Sequence, residues 1–162
     1  MAGRNEFTRR EALALARRPD EFRAFFAYHD ALMEKAGGLS KAEREMIVVA
    51  TSAHNDCLYC VVAHGAILRI RAKNARVADQ LATNPRRAEI APRQHAMLAF
   101  ALKVAERSAE IGDADYAALA DQGFTAEDAW DIAAISAMYA MSNRLANAFG
   151  IRPNSEFYAM GR

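Results

Sequence analysis

Residues 39–64 read LSKAEREMIVVATSAHNDCLYCVVAH. The stretch opens on Ser40-Lys41-Ala42-Glu43. A hydroxyl followed three residues later by a carboxylate can satisfy two open backbone donors reciprocally, as a capping box. This predicts a helix running through Ile47, Val48 and Val49 towards His54. Asn55-Asp56 offers a second capping pair, so another helix is expected from about Asp56 to Lys73. The only two cysteines of the chain, Cys57 and Cys60, then fall in its first turn, and His64 follows on the same face.

The same punctuation continues outward. Thr8-Arg9-Arg10-Glu11 is a capping box for a short helix that ends before Pro19. A helix from about Asp20 to Ala36 is closed by Gly37-Gly38. Asn74 is placed to cap a short helix to Ala82, and Asn84-Pro85 reads as a loop or helix start. Pro92 suits the first turn of a helix to Ile111. Asp113 opens a short helix stopped by Gly123. Thr125-Ala126-Glu127-Asp128 opens a long helix to Phe149, with Gly150 past its end. Asn154 starts a short terminal helix. Apolar residues recur at three and four, and Gly and Pro are few, so the fold class is all-α. The run Ile132 to Tyr139 is apolar on nearly every face. This marks a central or an interface helix. Its Ile132, Ala133, Ile135, Ala137, Met138 and Tyr139 are more apolar surface than one small domain easily buries, so a homo-oligomer is expected.

With 162 residues the chain is long enough for one domain with a sizeable core. Its formal net charge of +1 gives no electrostatic case for nucleic acid. No apolar run is long enough to span a membrane, and Met-Ala-Gly-Arg-Asn-Glu lacks a signal region. Two thiols gathered in one C-x-x-C suit a reducing compartment, so the expected location is cytoplasmic.

The chemistry follows from spacing. At about 100° per residue, Cys57, Cys60 and His64 lie within an arc of roughly 60°. Cys57 and Cys60, as an i, i+3 pair, have α-carbons about 5–6 Å apart, inside the range for a disulfide. At a helix start, open N–H groups and the dipole favour thiolate, and the imidazole of His64 can take a proton from Cys60. A carboxylate at Asp56 opposes this; the helix terminus with His64 is the stronger expectation. Half a zinc site, with His64 and His54 as further ligands, is one other reading. Two buried cysteines acting as small hydrophobes is another. Redox chemistry accounts best for both thiols and the helical-spaced His: thiolate to sulfenic acid to disulfide. Glu45 is twelve residues before Cys57. On one continuous helix it would be roughly 18 Å away and turned by about 120°. Spacing alone makes it a surface residue, unless the chain bends at Asn55-Asp56.

Several of these residues resemble a known family. Leu39-Ser40-Lys41-Ala42-Glu43-Arg44-Glu45, Asn55, Cys57-Leu58-Tyr59-Cys60 and Ala63-His64-Gly65 resemble the alkylhydroperoxidase D-like core of the carboxymuconolactone decarboxylase superfamily. The likeness is closest to its peroxidase-related branch. Met141-Ser142-Asn143-Arg144-Leu145-Ala146-Asn147-Ala148-Phe149-Gly150 resembles the ending of that branch, so the likeness covers most of the chain. It implies a single all-α helical bundle over residues 1–162, with its core motif at about 39–73. It also implies that Glu45, Cys57, Cys60 and His64 are the catalytic residues. Cys60 would be the peroxidatic thiol and Cys57 the resolving one, with His64 and Glu45 activating Cys60 directly or through a water. One departure stands out: Tyr59 replaces the second His of well-known members, and an ordinary phenol, with a pKa near 10, is a poor base.

The resemblance thus predicts a thiol-dependent peroxidase acting on peroxide or a small organic hydroperoxide. It needs no metal, haem or flavin. Its partners would be an external dithiol reductant, of the lipoyl type or another, and further copies of itself, as a dimer or hexamer. Two rivals remain. One is a redox sensor that forms the disulfide without turnover. The other is a decarboxylase-like enzyme, whose relatives lack the cysteine pair.

Overall fold

The computed structural model of the chain describes residues 18–162. Seven α-helices follow in order: α1 (Pro19–Met33), α2 (Lys41–His54), α3 (Leu58–Ala72), α4 (Val77–Thr83), α5 (Pro92–Arg107), α6 (Asp113–Ala120) and α7 (Ala126–Ala148). Short 3-10 turns lie at Pro85–Arg87, Ser108–Glu110 and Ser155–Tyr158, and there is no strand among the described residues. The helix expected from Thr8 to before Pro19 lies outside them.

The centre of the bundle is α2. Every residue from Met46 to Ser52 is buried. With no face left for solvent, α2 packs on α3, α4, α5 and α7. Ile47, Val48 and Val49 meet Leu68, Leu81, Met97, Ile132 and Ile135 in one core. The capping box expected at Ser40 forms, and Thr125, expected to open the long helix, forms another. Glu43 N–H donates to Ser40 Oγ at 3.1 Å and Ser40 N–H donates to Glu43 Oε2 at 2.9 Å. Asp128 N–H donates to Thr125 Oγ1 at 3.2 Å, and Thr125 N–H returns to Asp128 Oδ2 at 2.8 Å. Arg44, fully buried, joins three helices: its Nη1 donates to the Leu32 carbonyl at 2.6 Å and approaches Asp131 Oδ2 at 3.4 Å.

Several boundaries depart from the sequence reading. α1 stops at Met33 rather than Ala36, with Glu34 as its C-cap and the Glu34 carboxylate paired with Lys41 and Arg71. Asn74 does not cap α4 directly; it accepts from Arg76 N–H at 3.0 Å in the turn before it. α5 ends at Arg107, short of Ile111, and continues as a 3-10 turn. α6 opens at Asp113 as expected, with Gly112 as its N-cap, whose N–H donates to Asp115 Oδ2 at 2.9 Å.

Of the two roles open to the apolar run of α7, it takes the central one. Ile132, Ile135, Met138 and Tyr139 are buried in the core of the chain itself and are not available to a second copy. The apolar side chains that α7 exposes are Trp130, Met141 and Leu145. At helical spacing they share a face with Ala137.

The loop between α1 and α2 depends on a close approach. A Cβ on Gly38 would sit 2.2 Å from Asp128 Oδ1, and that carboxylate is committed to capping α7. Gly38→Ala should therefore force the buried Asp128 side chain off its cap and destabilise the fold by ~1–3 kcal/mol. Denaturant unfolding measures this, and an unchanged midpoint would show that the cap can shift freely.

Candidate functional site

The chain turns sharply between α2 and α3. Asn55 is the last half-turn of α2, and Asp56 adopts a left-handed conformation with φ of 51°. Aspartate tolerates that region better than most residues. Cys57 N–H then donates to the Ser52 carbonyl at 3.0 Å. The expected capping role of Asn55-Asp56 is therefore corrected: Cys57 itself is the N-cap of α3, and Cys60 lies in its first turn. Asn55 is used otherwise, with its Nδ2 donating to Asn143 Oδ1 at 3.0 Å.

Asn143, fully buried on α7, holds this corner from the other side. Its Nδ2 donates to Ser52 Oγ at 2.9 Å. One turn on, Asn147 Nδ2 donates to the Asn55 carbonyl at 3.1 Å. Cys57 and Cys60 are free thiols, buried with Ala146, Tyr59 and Ile151 in a small cluster apart from the main core. Cys60 Sγ lies 3.9 Å from Ser142 Oγ.

The two thiols are not equivalent. The Cys57 thiol is lowered to about 6, first because the Cys60 thiol donates to it. Burial opposes this, and the N–H groups of Cys60 and Tyr59 and the Asn143 amide reinforce it. Cys60 is pushed up, by its bond to Cys57, by burial and by the charge on Cys57. The Cys60 thiol first, and then the N–H groups of the helix start, favour thiolate at Cys57. The expectation that the helix terminus would do so at both cysteines fails for Cys60, whose proton is the one the pair retains.

The turn also folds α3 back along α2. Glu45 Oε2 meets His64 Nδ1 at 2.7 Å, and both groups are largely shielded, with side chains 2% and 15% exposed. The bend that spacing required is present, and Glu45 is not the surface residue that spacing alone suggests. With Nδ1–H donated to the carboxylate, Nε2 is the nitrogen left to accept a proton. His64 stands one turn after Cys60 on α3. Its ring meets the edge of Tyr139 at a centroid distance of 4.8 Å and an interplanar angle of 86°. His54 is not drawn to the cysteines; it pairs with Glu106 at 3.3 Å.

Some residues at the site gave no usable sequence signal. Arg71 Nη1 donates to Glu45 Oε1 at 3.1 Å while its Nη2 donates to Glu34 Oε1 at 2.7 Å. Glu45 is therefore held on both oxygens. Asn143 was visible only as part of the C-terminal run, and Tyr139 only as an apolar position. A buried amide on an otherwise apolar helix face was the one available hint.

A model described as the carboxymuconolactone decarboxylase family matches residues 19–84. An uncharacterized peroxidase-related protein from Ralstonia eutropha JMP134, solved as an alkylhydroperoxidase AhpD core, is 67% identical with a TM-score of 0.91. That match covers 94% of this chain and 80% of the other. An uncharacterized peroxidase-related protein from Silicibacter sp. TM1040 is 41% identical with a TM-score of 0.86, over 88% of this chain and 75% of the other. A protein of unknown function from Agrobacterium tumefaciens shares the fold at 20% identity and a TM-score of 0.77, covering 87% of this chain and 95% of the other. No curated protein matches.

The site geometry sets a pH dependence. As pH rises through about 6 the first proton leaves the cysteine pair, so thiolate absorbance and alkylation by iodoacetamide should grow there. An ordinary cysteine does so near 8.5. Cys57→Ser should abolish the step near 6. A single transition near 8.5 in the unaltered protein would contradict this account of the pair.

Proposed function

The chain belongs to the carboxymuconolactone decarboxylase family, among its AhpD-like, peroxidase-related proteins, and from that premise we propose that it is a thiol-dependent peroxidase. Its substrate would be peroxide or a small organic hydroperoxide. The observation that carries the proposal is the pairing of two free thiols at a helix start with a His64–Glu45 contact of 2.7 Å on the same pair of helices.

In this reading Cys60 is the sulfur that meets peroxide. It adjoins His64, one turn along α3, and Ser142. Its proton already goes to the Cys57 sulfur, and in this reading Nε2 of His64, one turn along, takes it up as peroxide is attacked. As the S–O bond forms, the O–O bond breaks, and the leaving oxygen takes a proton to become an alcohol or water. Cys57 then attacks the sulfenic acid of Cys60; the S–S bond forms, and the hydroxyl leaves as water. Glu45 fixes the imidazole, and Arg71 fixes Glu45. The C-x-x-C presents the second thiol at no translational cost. Turnover requires an external dithiol, of the lipoyl type or another, to reduce the disulfide. A cytoplasmic location fits that requirement; no described helix is long and apolar enough to cross a membrane.

One observation favours a second reading. Both sulfurs are almost fully buried, Cys57 at 0% and Cys60 at 1% exposed. A disulfide so enclosed is hard for an outside dithiol to reach, as in a redox sensor that does not turn over. Sustained peroxide consumption with a dithiol present separates the enzyme from the sensor.

Mild peroxide should convert both thiols to one intramolecular disulfide. Cys57→Ser should leave a sulfenic acid on Cys60 that dimedone traps; trapping on Cys57 in Cys60→Ser instead would reverse the two roles. Glu45→Gln should slow thiol oxidation ~10- to 100-fold with the fold intact, and His64→Ala at least as much. An unchanged oxidation rate in Glu45→Gln returns that carboxylate to a structural role.

We also propose a homo-oligomer with a dimer as its minimum unit, placed on the exposed Trp130, Met141 and Leu145 of α7. Light scattering at micromolar concentration should show at least twice the chain mass, and Trp130→Glu should reduce it. A monomeric mass for the unaltered chain would remove this proposal.

A further inference from the structure

The Tyr139 hydroxyl is a buried polar atom with no hydrogen-bond partner among the described residues. The residue is 2% exposed and lies on α7. Buried hydroxyls nearly always find a partner, and one that does not calls for an explanation. Its surroundings are specific. Its ring stands edge-on to His64. Ser142 and Asn143 follow at i+3 and i+4, on the same face of α7. Ser142 Oγ is 3.9 Å from Cys60 Sγ, and Asn143 holds the corner that carries Cys57. Of these three polar positions on one helix face, Ser142 and Asn143 border the dithiol, and Tyr139 borders the His64 that follows it. Two of them have partners, and the phenol has none.

We propose that Tyr139 is a catalytic hydrogen-bond donor, whose O–H binds the leaving oxygen of an alkyl hydroperoxide as Cys60 attacks the other oxygen. This rests on the peroxidase reading and adds a substrate preference to it.

Thiolate attack on an alkyl hydroperoxide forms the S–O bond and breaks the O–O bond. The electron pair of that bond leaves on an alkoxide, a strong base. The proton released from the Cys60 thiol passes to His64 and then to the alkoxide, giving Cys60 sulfenic acid and an alcohol. A donor already aimed at the leaving oxygen stabilises the charge while it develops, and does so most strongly where water is excluded. A phenol serves well here if it stays neutral. Burial, then the charges of Glu45 and Cys60, push the Tyr139 hydroxyl well above its ordinary range, so it is a donor at every working pH. Tyr59 occupies the position between the cysteines, so the chain has no imidazole there.

The test is Tyr139→Phe, which keeps the ring against His64 and removes no hydrogen bond, so its melting midpoint should match that of the unaltered protein. Three reagents are compared by the rate of thiol loss. Tert-butyl hydroperoxide expels an alkoxide and should react ~10- to 100-fold more slowly with the variant. Peracetic acid expels acetate, a weak base that needs no donor, and iodoacetamide has no leaving oxygen; both should react at the unaltered rate. Equal slowing with all three reagents would make Tyr139 a structural residue, and no slowing with tert-butyl hydroperoxide would make the hydroxyl idle; either overturns the proposal. An unaltered protein whose thiols react with neither oxidant faster than free cysteine would overturn the peroxidase reading as well. That failure is visible before the variant is compared.

Discussion

The structure depends on one corner, the turn at Asn55-Asp56 between α2 and α3. A residue in the left-handed region is disfavoured by roughly 1–2 kcal/mol, less for Asp. The turn persists because its polar groups are satisfied from both sides. Cys57 N–H reaches back to the Ser52 carbonyl, and Asn143 spans Ser52 and Asn55. A buried amide that bonds two points of a bend fixes its angle, since losing either bond would strand a polar group away from water. That angle does two things. It ends α2 early enough for Cys57 to become the cap of a new helix. It also lays α3 along α2, so that Glu45 and His64, nineteen residues apart, come into contact.

Buried charge is used in two ways along α2. Arg44 and Glu45 are adjacent in sequence and point to different neighbourhoods. Arg44 joins Asp131, which Lys35 also holds at 2.8 Å. This set ties α1, α2 and α7 together and meets no ionisable ring or thiol. Glu45 is instead divided between Arg71 and His64. A carboxylate at 2% exposure needs such partners, because an unpaired buried charge is prohibitively unfavourable. Arg71 supplies the charge balance that lets Glu45 remain in the interior, and leaves its second oxygen to orient the imidazole.

What could be read in the sequence was local. The Ser40 and Thr125 capping boxes, the first-turn proline at Pro92 and the glycine past α7 mark their helices because each acts within about one turn. The dithiol and His64 were legible for the same reason, since helical spacing places them. The misreadings occurred where a distant partner decides. Asn55 and Asp56 look like caps in isolation, but Asn143, 88 residues further on, claims Asn55. The run Ile132 to Tyr139 looks too apolar for one small domain. It is buried because α2 needs covering on every side, which is a property of the whole packing. Arg71 and Tyr139 gave no periodic or capping signal. Their roles exist only once α3 and α7 are laid against α2.

The thiols sit between two requirements that pull in opposite directions. Burial disfavours a thiolate, and both sulfurs are buried. A charged sulfur is nevertheless favoured at Cys57, because the groups around it are donors: the Cys60 thiol, two N–H groups of the helix start and the Asn143 amide. These donors stabilise the reduced, singly ionised pair and lose their anionic acceptor when a disulfide forms. Groups that hold a thiolate therefore also make the disulfide easier to reduce, as in dithiols whose reduced form is stabilised. The same corner that hides the sulfurs from solvent thus biases them towards the reduced state. That bias is what a site needs if it must return to dithiol after each oxidation, and it follows from the placement of Cys57 at a helix terminus that only the bend at Asp56 creates.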